Sequence, residues 1–583
     1  MGSSKTEFLR QGIDAEIKAL EGSIRALRHR RNSLAPISSL PTEVILTIFS
    51  LSRHHSGKKP DPLAWLRVAH VCHQWRDIAL NQPLFWSYLN FNNLSLAGTA
   101  EILARAKKVP LHLEAKIHFN NWDDARLDAF RKELRDHVSH IRRLDLSAIS
   151  IYFNRTLDGL TSPAPTLEYL SLECLDETRG MPVFDTDTLF NGFTPRLSNL
   201  ELCNCAISWK SPLLRGLKHL NISSPIERPS LPIWLGALDA MPQLKTLILF
   251  KASPIALPDA LLSSNVKRAV TLPSLSHFEM TSLARDCGLA LAHLVLPALI
   301  TLRISAESCF LDGSDVPDLL PHVTRHAHGP QHTQPIQSAF VRSQSIGVEI
   351  FAWSERDVDI PNGTPFFCTT DSARMEFSLM NIEWSPETHA SIFDAVMAAL
   401  PLSSLIELTT AKFTRLNKQF WLRHTPQWSQ LQCMRLGNCA ARGFREMLLA
   451  EDDGGCESPL LPSLTKLVLV NSELTIPRTL HLCDALMKRV EQGVPLETLD
   501  LKTCYASSRA FGLLSEIVVE VLGPKEDLDS ETESQMTSRR GSTTRGPFVE
   551  DNNSGVEDYH EDDLDSENDD EETGDDPPGW ESE

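Results

Sequence analysis

The signatures of the familiar catalytic sites are missing from this 583-residue sequence. It has no phosphate-cradling G-x-x-x-x-G-K-[ST] loop, no G-x-S-x-G elbow, no H-E-x-x-H pair and no cysteine–histidine pairing in a recognisable setting. The chain reads as a non-enzyme with no cofactor. Its twelve cysteines, scattered from Cys72 to Cys504, contain no C-x-x-C pair and no zinc-like spacing. In so long a chain they read as reduced, mostly buried thiols of a cytoplasmic or nuclear protein. Cys203-x-Cys205 falls inside a leucine-rich strand pattern, where a structural role is expected. Residues 1–36 lack the apolar core of a secretory signal. The longest near-apolar run, 288–302, is too short to span a bilayer and contains His293 and Pro297. Asn-x-Ser/Thr sites such as Asn221-Ile222-Ser223 therefore carry no glycosylation reading.

The body is nearly neutral, with 54 acidic and 52 basic residues before Lys525, and the net charge sits at the end. From Lys525 onward there are 22 acidic and 4 basic residues, so this segment carries −18 of the chain's −20. With few large apolar residues it cannot bury enough surface to offset chain entropy, and 524–583 reads as a disordered acidic tail. Ser530, Ser554 and Ser566 each have an acid three residues on, a context for acidophilic kinases.

What is present begins with a helix over 1–36. Ile13, Ile17, Leu20, Ile24 and Leu27 are spaced by four, three, four and three, a coiled-coil-like seam that Leu34 continues beyond Arg31. Two arrangements fit: a helix leaning on the segment that follows, or self-association. The cluster Arg25, Arg28, His29, Arg30 and Arg31 has no interleaved aromatics, so it reads as a solvated face and no nucleic-acid partner is expected. Met1-Gly2-Ser3-Ser4-Lys5-Thr6 fits the short N-myristoylation pattern. One acyl chain gives marginal binding, so no stable membrane association is expected.

Beyond residue 91 a repeat dominates. Triplets of the form L-x-x-L-x-L recur at Ile141-Leu144-Leu146, Leu167-Leu170-Leu172, Leu197-Leu200-Leu202, Leu217-Leu220-Ile222, Leu244-Leu247-Leu249, Leu275-Phe278-Met280 and Leu299-Leu302-Ile304. After a gap come Leu405 with Leu408, then Leu431-Met434-Leu436, Leu464-Leu467-Leu469 and Leu496-Leu499-Leu501. The steps within each series run between 20 and 33 residues, the signature of irregular leucine-rich repeats. The apolar positions are core, and alternate residues of each strand face a concave parallel sheet. Pairs such as Glu168 and Tyr169, Lys218 and His219, Lys245 and Thr246, Thr465 and Lys466, or Glu497 and Thr498 are the candidate readers of a bound protein. Within the gap, Pro317–Pro335 carries His322, His326, His328 and His332 among prolines and glutamines and reads as a loop, with no metal site. The runs at 346–351 and 375–379 are expected to be two further repeats with long connections.

Residues 37–90 form a distinct small helical unit. Pro41 suits a first helical turn, Glu43 places negative charge at the positive end of the dipole, and Val44, Ile45, Ile48 and Phe49 recur at helical spacing. A second helix carries Val68, Cys72, Trp75 and Ala79 on one face and stops at Asn81-Gln82-Pro83. Leu84, Phe85 and Trp86 follow as a bulky plug. Two short helices cannot bury this surface on each other, and pattern alone leaves open whether the remainder covers its own chain or a partner.

The elements Leu40-Pro41-x-Glu43, Val71-Cys72-x-x-Trp75-Arg76 and Pro83-Leu84-x-Trp86, in this order, resemble an F-box in the form common in fungal F-box proteins. A departure is the insert from Arg53 to Pro60, which lengthens the connection between the helices. The resemblance implies docking on the Skp-family adaptor of cullin–RING ubiquitin ligases. It implies Leu40, Pro41, Glu43, Val44, Ile45, Ile48 and Phe49 as a first contact ridge, with Val68, Val71, Cys72 and Trp75 partly core and partly contact. The expected architecture is α/β: an N-terminal helix, a small all-α F-box-like module (37–90), an irregular leucine-rich-repeat solenoid (91–523) and the acidic tail. The expected role is a substrate receptor for an unidentified protein. The alternative is a scaffold of the same fold that works without ubiquitin.

Overall fold

In the computed structural model, residues 2–52, 64–92, 94–118, 122–176, 188–225, 227–255, 269–328, 335–344, 347–356, 373–381, 384–411, 416–449 and 459–523 are described. The insert after Arg53 and the acidic tail lie outside them.

Helix α1 (Gly2–Ser33) is continuous. A 3₁₀ turn at Pro36–Ser39 leads to α2 (Thr42–Ser52), and Pro41 sits just ahead of it, its carbonyl accepting from the amides of Val44 and Ile45. The second helix differs from the expectation. Cys72 is extended (φ −156°, ψ 169°), so the stretch breaks into a 3₁₀ segment, Ala64–His70, and α3 (His73–Leu80). Cys72 caps α3, its Sγ accepting from the Trp75 amide at 3.5 Å. Asn81 ends α3 as expected, and Pro83 opens the next 3₁₀ turn.

The remaining described residues build a mixed α/β body around a seventeen-stranded sheet with the form of a solenoid. Strands β1 (Tyr88–Asn90), β2 (Leu111–Ile117), β3 (Ile141–Ala148), β4 (Tyr169–Cys174), β5 (Asn199–Cys203), β6 (His219–Ser223), β7 (Thr246–Phe250), β8 (His277–Leu283) and β9 (Thr301–Glu307) pair in chain order, all parallel. The apolar triplets are buried throughout: Leu144, Leu170, Leu200, Leu220, Leu247 and Phe278 stand opposite one another in register and none exceeds 1 % exposure. No unit could bury such a row alone, so the array is stable only as a stack. Asn204, Ser224 and Lys251, directly after β5, β6 and β7, have positive φ, and each donates its amide to a carbonyl of the next strand, that of Ser223, Phe250 and Thr281 respectively. Asn and Cys suit these corners. The Asn204 amide Nδ2 donates to the Cys174 carbonyl at 3.0 Å, and Cys205 is buried with its Sγ against the Leu172 carbonyl.

Between Ile304 and Leu405 the array departs from the expected pair of repeats. Strands β10 (Ser338–Gln344), β11 (Gly347–Trp353) and β12 (Met375–Met380) form a meander. β12 lies parallel to β9, β11 is antiparallel to both β12 and β10, and β10 lies parallel to β13 (Glu407–Thr410). The sheet continues unbroken, but three strands are spliced in with reversed order. Gly347 lets β11 lie close against β12: a Cβ there would stand 2.4 Å from the Leu379 carbonyl oxygen. The parallel run resumes through β14 (Cys433–Gly437), β15 (Lys466–Val470), β16 (Thr498–Asp500) and β17 (Glu520–Leu522).

The histidine-rich loop is also corrected. Val316–His328 is a helix with Pro321 inside it. Val316, Leu319, Leu320, Val323 and Ala327 are buried at helical spacing, and packing of that face outweighs the two prolines. His326 is buried with Nε2 3.1 Å from the Leu291 carbonyl. The His328 side chain and His332 lie outside the described residues.

Candidate functional site

The helical module is fused to the sheet, because Ile45, Phe49, Ala79, Phe85, Trp86 and Leu89 belong to the same apolar core as the strand leucines. Asn90, the expected boundary, is the last residue of β1. Phe49 is the centre of the module. It is fully buried, edge-on to Trp75 with ring centroids 5.1 Å apart, and 6.3 Å from Phe85. Trp86 is held by an indole N–H donated to the Leu80 carbonyl at 3.2 Å and by the Arg105 guanidinium 4.9 Å over its ring.

This arrangement sorts the expected contact residues into two sets. Ile45 and Phe49 face inward and are sealed, so they hold the module together and offer nothing to an outside partner. Leu40, Val68 and Trp75 are half-buried against the same core, and Cys72 is spent on the cap of α3. Pro41, Glu43, Val44, Ile48 and Val71 are exposed. Leu51 and Leu84, which sequence reasoning did not place at the site, are exposed as well. Pro41, Val44, Ile48 and Leu51 follow one another at spacings of three, four and three, a second apolar stripe on α2. The signal for Leu51 was its place in that spacing. The helix is apolar on both faces, with Val44 42 %, Ile48 38 % and Leu51 57 % exposed.

The face of the sheet turned away from the apolar core is a second partly exposed surface. Tyr169, His219, Thr246, Lys466 and Thr498 stand on it, whereas Glu168, Lys218, Lys245, Thr465 and Glu497 precede their strands by one residue. The middle row across the first strands is mostly acidic and polar: Glu114, Asp145, Ser171, Glu201 and Asn221, and further on Glu279. Burial raises the Asp145 carboxyl, while the His277 imidazole 3.6 Å away, with Arg303 nearby, lowers that of Glu279. On the meander this face turns apolar, with Phe340, Phe351 and Trp353 forming a second buried cluster. Beside it Arg342 and Glu349 make a buried ion pair across the β10–β11 hairpin, Nε to Oε2 2.5 Å.

Among the described residues no group of three or more His, Cys, Asp or Glu side chains is placed to hold a metal ion, and no helix is long and apolar enough to cross a membrane.

No curated protein matches the chain. A chain from the crystal structure of the Rad7 and Elc1 complex in yeast aligns with 88 % of this chain and 95 % of its own length, at 12 % identity and a TM-score of 0.21. That likeness is too distant to carry structural detail across. The family described as F-box-like matches residues 37–92. That span covers α2, α3, the Phe85–Trp86 plug and β1, and residues 37–92 are an F-box-like domain.

Proposed function

We propose that this chain is a non-catalytic substrate-recognition subunit of a Skp–cullin–F-box type ubiquitin ligase. The F-box-like domain holds a Skp-family adaptor, and through it a cullin. The sheet, read as irregular leucine-rich repeats, holds a substrate protein in the cytoplasm or nucleus. Ubiquitin transfer then gains from proximity alone. The observation that carries the reading is the outer stripe of α2: Val44, Ile48 and Leu51 remain exposed after the domain has completed its own core. An apolar helix face presented beside a polar residue such as Glu43 suits helix-in-groove docking.

The docking set proposed here is Pro41, Glu43, Val44, Ile48 and Leu51, with Val71 and Leu84. Leu40, Val68, Cys72 and Trp75 shape it from beneath. The test is co-purification of the tagged full chain beside its Val44→Glu, Ile48→Glu form. Recovery of a Skp-family adaptor and a cullin with the native chain, lost in the variant, is the expected result. Recovery of the adaptor without a cullin would place the chain with ubiquitin-independent scaffolds. Recovery of neither overturns the proposal.

A further inference from the structure

The seam of α1 does not lean on the F-box-like domain. Ile13, Ile17, Leu20, Ile24 and Leu27 are all between 48 % and 66 % exposed. The helix meets the domain near its end, where the His29 and His73 rings stand 5.7 Å apart and Ser38 Oγ donates to the Asn32 carbonyl. A 32-residue helix containing Gly12 and Gly22 draws little stability from propensity, and such helices persist by burying an apolar stripe.

The charges flanking the seam say what covers it. In a heptad register with Ile17 and Ile24 at a and Leu20 and Leu27 at d, the flanking e and g positions are Asp14, Glu16 and Glu21 early on, then Arg28 and Arg30. The early part is acidic and the late part basic. Acidic flanks on this seam are a poor match for an anionic membrane, whose helices carry Lys and Arg there. A parallel, in-register pair would set Glu16 against Glu21 of the second copy and stack Arg31 on Arg31. An antiparallel pair centred at Gly22 sets Asp14 against Arg28 and Glu16 against Arg30, each twice. It also seats Ile17 over Leu27 and Leu20 over Ile24. Its one like-charge contact, Glu21 with Glu21, is eased by Arg25, which lies 3.9 Å from Glu21 within each helix.

We propose that α1 pairs with α1 of a second copy of this chain as an antiparallel two-stranded coiled coil. The two F-box-like domains then sit at opposite ends of the rod, with the ends of their α1 helices about 33 Å apart at 1.5 Å per residue. The assembly becomes a bivalent receptor, able to gain avidity for a substrate with two binding segments.

The test is sedimentation of the full chain over a range of concentrations. The expected result is a concentration-dependent shift from 65.1 kDa to twice that mass. Arg28→Glu with Arg30→Glu should return the chain to monomer, and adding Asp14→Arg with Glu16→Arg should restore the dimer. A native chain that stays monomeric overturns the proposal. So does a dimer unchanged or strengthened by Arg28→Glu with Arg30→Glu, which a parallel pair would give. A dimer surviving Leu20→Asp with Ile24→Asp overturns it too, since the contact then lies elsewhere. All these positions are exposed, and rescue by the fourfold exchange separates lost pairing from lost folding.

Discussion

Truncating the outer stripe of α2 and truncating its inner stripe should have opposite consequences. In Ile48→Ala with Leu51→Ala, both side chains are exposed in the free chain, 38 % and 57 %, so folding loses little. Fully covering such a side chain contributes about 1.5–3 kcal/mol, so covering these exposed fractions on docking contributes about 1.4–2.9 kcal/mol in total. At about 1.4 kcal/mol per decade, the double variant should bind a purified Skp-family adaptor roughly ten- to hundred-fold more weakly by calorimetric titration. Its melting transition should stay within about a degree or two of the native one, as expected for surface changes within ~0.5 kcal/mol. Phe49→Ala, by contrast, empties the centre of the domain and should cost about 3–5 kcal/mol of stability. If the double variant binds as the native chain does, or if it melts like Phe49→Ala, the division of α2 into a core face and a docking face is wrong.

Other outcomes follow from buried polar groups. Arg489, 2 % exposed, donates to the Leu460, Leu461 and Leu464 carbonyls at 2.7, 3.1 and 3.2 Å, holding a corner where Leu461 has φ 51°. Arg489→Met strands those carbonyls and should cost about 3 kcal/mol or more in urea unfolding. Asn204→Ala removes the side chain that suits positive φ and its bond to Cys174, and should lower stability by about 1–2 kcal/mol. Burial holds His326 down to about 4 from 6.5, with Arg325 and His322 adding to the effect, and His112 to about 4, with Arg143 adding. Unfolded chains take up these protons as pH falls below 6.5 and the folded chain does not until about 4. Stability should therefore be full above 6.5 and fall progressively as the pH drops between those values. Urea midpoints measured against pH should show that slope, and His326→Leu should make it shallower, with the His112 contribution remaining.

The parts of the fold legible in sequence are those where local pattern and burial coincide. Each apolar triplet from Ile141 to Leu501 marks a strand because period two on a sheet and a recurring turn leave few other ways to bury those leucines. β1 and β2 escaped because Leu89, and Leu111 with Leu113, lack the full triplet. The meander escaped because β10 has no leucine signal and strand direction is a property of pairing, which alternation does not encode. The helix Val316–His328 was hidden by its prolines and histidines, though its apolar positions recur at helical spacing. On the site, Pro41, Glu43, Val44, Ile48 and Val71 lie on the exposed surface, whereas Ile45 and Phe49 do not.

Sequence by itself determined where the apolar residues recur, hence which segments become helix or strand, and it marked residues 37–90 by the spacing of Leu40-Pro41, Val71-Cys72 and Trp75-Arg76. It could not determine which of α2's two apolar stripes faces outward, because a helix greasy on both sides carries no label for its inner face. Tertiary structure decided that when Trp75 and Phe85, supplied by later segments, closed over Phe49 while Val44, Ile48 and Leu51 stayed exposed. The same holds for α1, whose seam is written in its heptads but whose exposure appears only once the rest of the chain has packed elsewhere.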